Sequence, residues 1–202
     1  MVYSKDFTTL IKDRQKVALL VAGNFIRGYT FKTFSNLRKF QSKLINHNGT
    51  VLDIGCANGF FLRCTQEWCG QKIVPYGIDI DYPLLEQAKV LFPKQMKHFI
   101  LLNVNDLSTR ALKKAGLPDK YDFITLGIWD NWGLKRNKEI SVIKEAIKHV
   151  KREGRLILRL ENANKSKNLE RIERLKEAGF NLAGILKNGR RSEKVVWIEK
   201  ST

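Results

Sequence analysis

The sequence predicts an α/β fold: a mostly parallel, seven-stranded sheet with an antiparallel terminal strand and helices on both faces. Three observations predict it. Strand-like and helix-like apolar patterns alternate from Val51 to Leu160. A tight glycine turn, Thr50 to Phe61 (T-V-L-D-I-G-C-A-N-G-F-F), comes directly after the first strand pattern. The chain closes on two strand patterns around Asn188-Gly189, a turn pair that joins antiparallel strands.

Residues 1–48 form a basic N-terminal extension, with nine Lys/Arg against two acids. Phe7, Leu10, Ile11, Val17, Ala18 and Val21 recur at helical spacing, as do Phe34, Leu37, Phe40 and Leu44 after Gly28. Two helices with basic outer faces are expected there, ahead of a domain spanning 49–202. In that domain Val51 to Ile54 is the first strand, and a helix runs from Gly59 to Trp68. Ile73 to Ile80 is the second strand; Asp81 caps, and Pro83 opens, a helix reaching Leu91. His98 to Val104 is the third strand, Ser108 to Ala115 a short helix and Tyr121 to Ile128 the fourth strand. A helix over Lys138 to Lys151, ended by Gly154, precedes the fifth strand, Arg155 to Leu160. The tail reads as a helix from Ser166 to Ala178, stopped by Gly179, then strands over Phe180 to Leu186 and Val195 to Glu199.

At 202 residues the chain supports one α/β domain with a substantial core. Its formal net charge of +17, from 37 Lys+Arg against 20 Asp+Glu, exceeds what solubility needs and points to a polyanionic partner such as RNA or DNA, or an anionic membrane, with RNA on the basic N-terminal face the reading carried forward. A lysine-rich genome would give the same balance. Cys56, Cys64 and Cys69 lack metal-site or disulfide spacing, so no structural metal and a reducing cytoplasm are expected. The longest early apolar run, Val17 to Ala22, is too short to span a membrane.

A strand that aims its carboxyl end at glycines, with a helix N-terminus next in the chain, can hold a nucleotide-like ligand. Asp53, Gly55 and Gly59 lie in that turn, and Asp79 ends the second strand 26 residues after Asp53. A carboxylate there can accept both hydroxyls of a ribose. The dinucleotide-dehydrogenase reading wants G-x-G-x-x-G, which Gly55, Ala57 and Phe60 do not supply.

With the terminal strand pair, these motifs resemble the Rossmann-like class I S-adenosylmethionine-dependent methyltransferases over residues 50–199. Asp53, Gly55 and Gly59 match the family's D-x-G-x-G-x-G motif, and Ala57 replaces the middle glycine. The resemblance implies S-adenosylmethionine as cofactor and Asp79 as its ribose ligand. Asn103, with Asp106 just beyond, stands where the family often keeps an acid for the adenine amino group. Cys56, inside the loop, reads as a small packing residue.

The acceptor is read from the segment after the fourth strand, Gly127-Ile128-Trp129-Asp130-Asn131-Trp132-Gly133. The Asn/Asp-Pro-Pro-aromatic motif of amino-methylating nucleic-acid enzymes is missing, and no cysteine lies there for cytosine C5 chemistry. Trp129 and Trp132, with Asn131 between, are candidates to stack on a base, and are equally ordinary packing residues. The chain also resembles the ribose 2′-O RNA methyltransferases, which use Lys-Asp-Lys-Glu. The matching positions are Lys32 after Phe31, Arg159 closing a Gly154-led apolar strand, and Glu193 after Ser192. The aspartate's usual place is Gly127, with Asp130 three residues late. Three function classes are compatible with these residues: an RNA methyltransferase, a methyltransferase of a small molecule, lipid or protein, and a non-catalytic RNA-binding module on the same scaffold.

Overall fold

The computed structural model describes residues 2–24, 30–129, 132–161, 164–189 and 192–200. Three helices, α1 (Lys5–Lys12), α2 (Arg14–Ala22) and α3 (Phe31–Arg38), precede a sheet whose strands alternate with the rest. These are β1 (Gly49–Ile54), α4 (Phe60–Trp68), β2 (Ile73–Asp79), α5 (Tyr82–Leu91), β3 (Phe99–Leu101) and α6 (Thr109–Lys114). They continue as β4 (Tyr121–Ile128), α7 (Asn137–Lys148), β5 (Val150–Leu160), α8 (Lys165–Glu177), β6 (Gly184–Lys187) and β7 (Lys194–Glu199).

The strand order is β3-β2-β1-β4-β5-β7-β6, with β7 antiparallel to both neighbours and the first five strands parallel. Because strand side chains alternate, each face has its own core. Leu52, Ile124, Leu156 and Leu158 pack under α7 and α8 with Ile143 and Leu175. Val51, Phe123 and Ile157 pack on the opposite face with Leu62, Leu85 and Ala88.

Asp13 divides the first apolar run. Its backbone is extended and its carboxylate accepts from Lys16 N at 3.0 Å, so it caps α2 where a single helix was expected. The segment then packs as part of the body: Phe7, Val21 and Phe34 share a buried cluster with Phe60, Phe61, Cys64 and Trp68 of α4. A second boundary also differs from expectation. α7 ends at Lys148, and β5 starts at Val150 because Val150 pairs with Tyr121 across a register irregularity. Gly154, expected as a helix stop, lies inside β5, where a Cβ would stand 2.5 Å from Asp122 O. The third strand is reduced to Phe99–Leu101, and Asn103 caps a 3-10 turn over Val104–Asp106.

Candidate cofactor cleft and active site

β1 delivers the chain into a loop with positive φ at Gly55 (74°), Ala57 (49°) and Gly59 (70°). Glycine adopts this conformation freely and alanine at some cost. Gly55 N and Cys56 N both donate to Ile78 O, at 2.9 and 3.1 Å, tying the loop to β2. A Cβ on Gly59 would meet Phe92 Cε2 at 3.1 Å and Ala88 Cβ at 3.2 Å, so α4 starts in close contact with α5. Cys56 is buried against Gly77, where a Cβ would stand 2.5 Å from its Sγ; burial pushes its thiol well up, and it packs rather than reacts.

Asp79 holds this loop from the end of β2. Its Oδ2 accepts from Ala57 N at 2.7 Å and its Oδ1 from Asp81 N at 3.0 Å. A carboxylate has about four acceptor sites, so two remain for hydroxyls. Asp81 caps α5, accepting from Leu84 N at 3.0 Å.

A cleft of about 1060 Å³ opens at the carboxyl ends of β1, β2, β4 and β5. Gly55, Ala57 and Asp79 form its floor and one edge, with Ile80, Leu102, Asn103 and Asn105 beside them. Trp129, Trp132 and Glu161 line the far side. The residues present fit an adenosine-type cofactor: a Cβ at Gly55 would enter open space, Asp79 offers its remaining lone pairs, and Ile80 and Leu102 supply apolar surface for a flat base.

Behind the floor runs a buried chain of charge. Val51 and Asp53, Phe123 and Thr125, Ile157 and Arg159 are successive residues on the same sheet face. Thr125 Oγ1 donates to Asp53 Oδ1 at 2.5 Å, and Arg159 Nη2 lies 3.3 Å from the same oxygen. Arg159 Nε lies 3.5 Å from Glu161 Oε1, and Glu161 receives a two-pronged guanidinium contact from Arg38 of α3, with Nη2 to Oε2 at 2.6 Å. Burial raises Asp53 to about 6, against the pull of Arg159 and the Thr125 hydrogen bond. The other face of Arg159 covers the Phe61 ring at 4.5 Å, and Arg38 stands 6.0 Å over Trp129.

Of the expected cofactor residues, Asp53, Gly55, Ala57, Asp79 and Asn103 line the cleft, while Cys56 and Gly59 shape the loop from beneath. Asp106 is exposed and does not line it; the 3-10 turn carries it past the rim. The expected ribose set is not brought together. Arg159 lines the cleft but is 4% exposed and engaged by Asp53 and Glu161. Lys32 is exposed on α3 and Glu193 is half-buried before β7, and neither lines the cleft. Asp130 and Asn131 lie outside the described residues, as do Arg190 and Arg191. Trp129 and Trp132 both reach the cleft, and Arg171 of α8 donates to the carbonyls of both, to Trp129 O at 2.5 Å and Trp132 O at 3.0 Å. Sequence reasoning missed Arg38, Thr125, Glu161 and Arg171. Only Glu161 had a local signal, standing two residues after Arg159 and directly after the end of β5.

Strand order, glycine loop and terminal antiparallel strand together are the class I S-adenosylmethionine-dependent methyltransferase fold. A solved S-adenosylmethionine-dependent methyltransferase from Clostridium acetobutylicum ATCC 824 superposes with a TM-score of 0.59 at 13% identity, over 93% of this chain and 99% of that one. The Methanococcus jannaschii fibrillarin pre-rRNA processing protein superposes with a TM-score of 0.58 at 14% identity, over 83% and 77%. A tRNA (guanine-N(7)-)-methyltransferase of Synechococcus sp. (strain CC9311) is 30% identical over 99 residues, 48% of this chain. The chain thus spans 41% of the length of that curated relative. No protein-family model matches the sequence. Among the described residues, no helix is long and apolar enough to cross a membrane, and no group of three His, Cys, Asp or Glu is placed to hold a metal ion.

Proposed function

We propose that this protein is an S-adenosylmethionine-dependent methyltransferase that acts on RNA. The observation that carries the cofactor is Asp79, which holds the Gly55–Ala57 loop from the cleft edge and keeps acceptor capacity for a ribose. Gly55 and Ala57 would lie along the nucleoside and methionine parts, and Asn103 and Asn105 beside the base. Bound S-adenosylmethionine supplies an electrophilic methyl group on a sulfonium.

The protein's own contribution is to orient the acceptor in line with that methyl and to exclude water. Trp129 and Trp132 present aromatic surface on the side opposite Asp79, where a base can stack. RNA as the acceptor class is supported by the charge of +17 and by the likeness to a tRNA methyltransferase and to a pre-rRNA processing protein. The ribose 2′-O assignment does not draw support from the cleft, because Lys32 and Glu193 stand outside its lining and Arg159 is occupied by two carboxylates. Cytoplasmic residence is part of the proposal, consistent with three free cysteines.

Transfer of tritiated methyl from S-adenosylmethionine into total RNA, with protein and small-molecule extracts in parallel, tests this reading. Label in RNA, with digestion to the modified nucleoside, is expected; label confined to another fraction would transfer the assignment to that class.

A further inference from the structure

Three lysines from two parts of the chain meet beside the cleft. Lys187 and Lys194 are direct cross-strand partners in the β6–β7 pair, and like charges directly opposite one another repel. Lys194 is 3% exposed, yet among the described residues its Nζ donates only to Ser192 O, at 3.3 Å. Lys165, the first residue of α8, faces the same ammonium, and burial together with Lys165 and Lys187 holds Lys194 below the ordinary lysine range, opposed only by Glu193. Among the described residues no ion pair neutralises Lys165, Lys187 or Lys194. Lys194 is also the register partner of Leu160, one residue before the cleft-lining Glu161, which puts the cluster at the cleft rim. The adjoining Asn188 donates from Nδ2 to Asn36 O at 3.0 Å, fastening this corner to α3, which carries exposed Lys32.

Repulsion of this kind is retained at a cost to the free protein, and a polyanion laid across the corner removes it. Resting on the RNA reading above, we propose that the exposed Lys165 and Lys187, with the buried Lys194 ammonium behind them, form a phosphate-binding ledge that guides an RNA strand into the cleft between Trp129 and Asp79. The occupant is a sugar-phosphate backbone: Lys165 and Lys187 are exposed on separate elements, the buried Lys194 charge adds to the positive field behind them, and point charges position a strand without reading its bases.

The test uses the full chain and fluorescence anisotropy with a short single-stranded RNA at several salt concentrations. Lys165→Gln/Lys187→Gln is compared with Arg110→Gln/Lys114→Gln, an equal charge change on α6, between β3 and β4. The ledge pair is expected to lower affinity about 10-fold or more at low salt and to flatten the log–log salt slope by roughly 1.5, since each lost lysine contact removes about 0.7 to 0.9. The α6 pair should leave the slope unchanged, and both should bind S-adenosylmethionine like wild type. The ledge pair should also melt at a higher temperature than wild type at low salt, which a merely structural role for these lysines would reverse. Equal losses from the two pairs, or none from either, would overturn the ledge and leave the RNA reading standing. Wild-type protein that binds the cofactor but no RNA would overturn both. Polyglutamate bound as tightly as RNA, with the same loss in the ledge pair, would assign the surface to acidic protein chains instead.

Discussion

Gly127 and Arg159 are register partners in β4 and β5, and the missing side chain at Gly127 is what lets the Arg159 guanidinium reach Asp53. A Cβ at Gly127 would stand 3.2 Å from Arg159 Nη2 and 3.1 Å from Trp129 Nε1. Here the position where the ribose enzymes keep an acid gives its space to a buried arginine. Gly127→Val should therefore push the guanidinium off Asp53 and disturb Trp129, destabilising by about 1–3 kcal/mol. Urea unfolding of the variant checks this; unchanged stability would mean that Arg159 has another route to Asp53.

The Asp53–Arg159 pair is nearly fully buried, and removing one partner strands the other charge. Arg159→Met should cost about 3–5 kcal/mol, whereas Asp53→Asn combined with Arg159→Met should recover part of the loss, because neither charge is then left alone. A double-mutant cycle by chemical denaturation measures the coupling. Additive effects would contradict the pairing.

Asp53 also gives stability a pH signature. Its pKa rises from the ordinary 3.8 to about 6 in the folded chain, so between those values the native state binds more protons than the unfolded one. Stability from this group is thus full below pH 4 and falls as pH rises toward 6, by on the order of 3 kcal/mol. Asp122 and Glu67, both held below the usual carboxylate range, act in the opposite sense, so the quantity to measure is the difference between wild type and Asp53→Asn across pH 4 to 7. That difference should shift against wild type as pH increases.

Gly77 faces Cys56 and Phe99 under the cofactor loop, with a Cβ placed 2.5 Å from Cys56 Sγ and 2.7 Å from Phe99 Cδ1. Gly77→Ala is expected to destabilise by about 1–3 kcal/mol and to weaken cofactor binding through the displaced loop. Calorimetric melting and a binding titration on one sample report both effects.

Much of this site was legible because its signals are local. Asp53, Gly55, Gly59 and Asp79 sit at strand ends and in one turn, where residue type reports backbone conformation directly. The Arg38–Glu161 contact joins residues 123 positions apart, and no periodicity foretells such a pairing. The start of β5 was hidden for another reason: Val150 and Lys151 read as the end of the helix that begins at Lys138, and only the pairing of Val150 with Tyr121 makes them strand. Arg171 looked like one more basic residue on α8, although it is buried and holds the carbonyls of Trp129 and Trp132.

Isothermal titration with S-adenosylmethionine tests the central claim most directly, comparing wild type, Asp79→Ala and Asp81→Ala. Wild type should bind at a single site, and Asp79→Ala should lose at least about tenfold, the loss of a charge-assisted hydrogen bond of about 1.5–3 kcal/mol. Asp81→Ala, which removes only the cap of α5, should lower stability by about 1 kcal/mol and leave affinity close to wild type. No saturable binding by the wild-type chain, or undiminished binding by Asp79→Ala, would contradict the account.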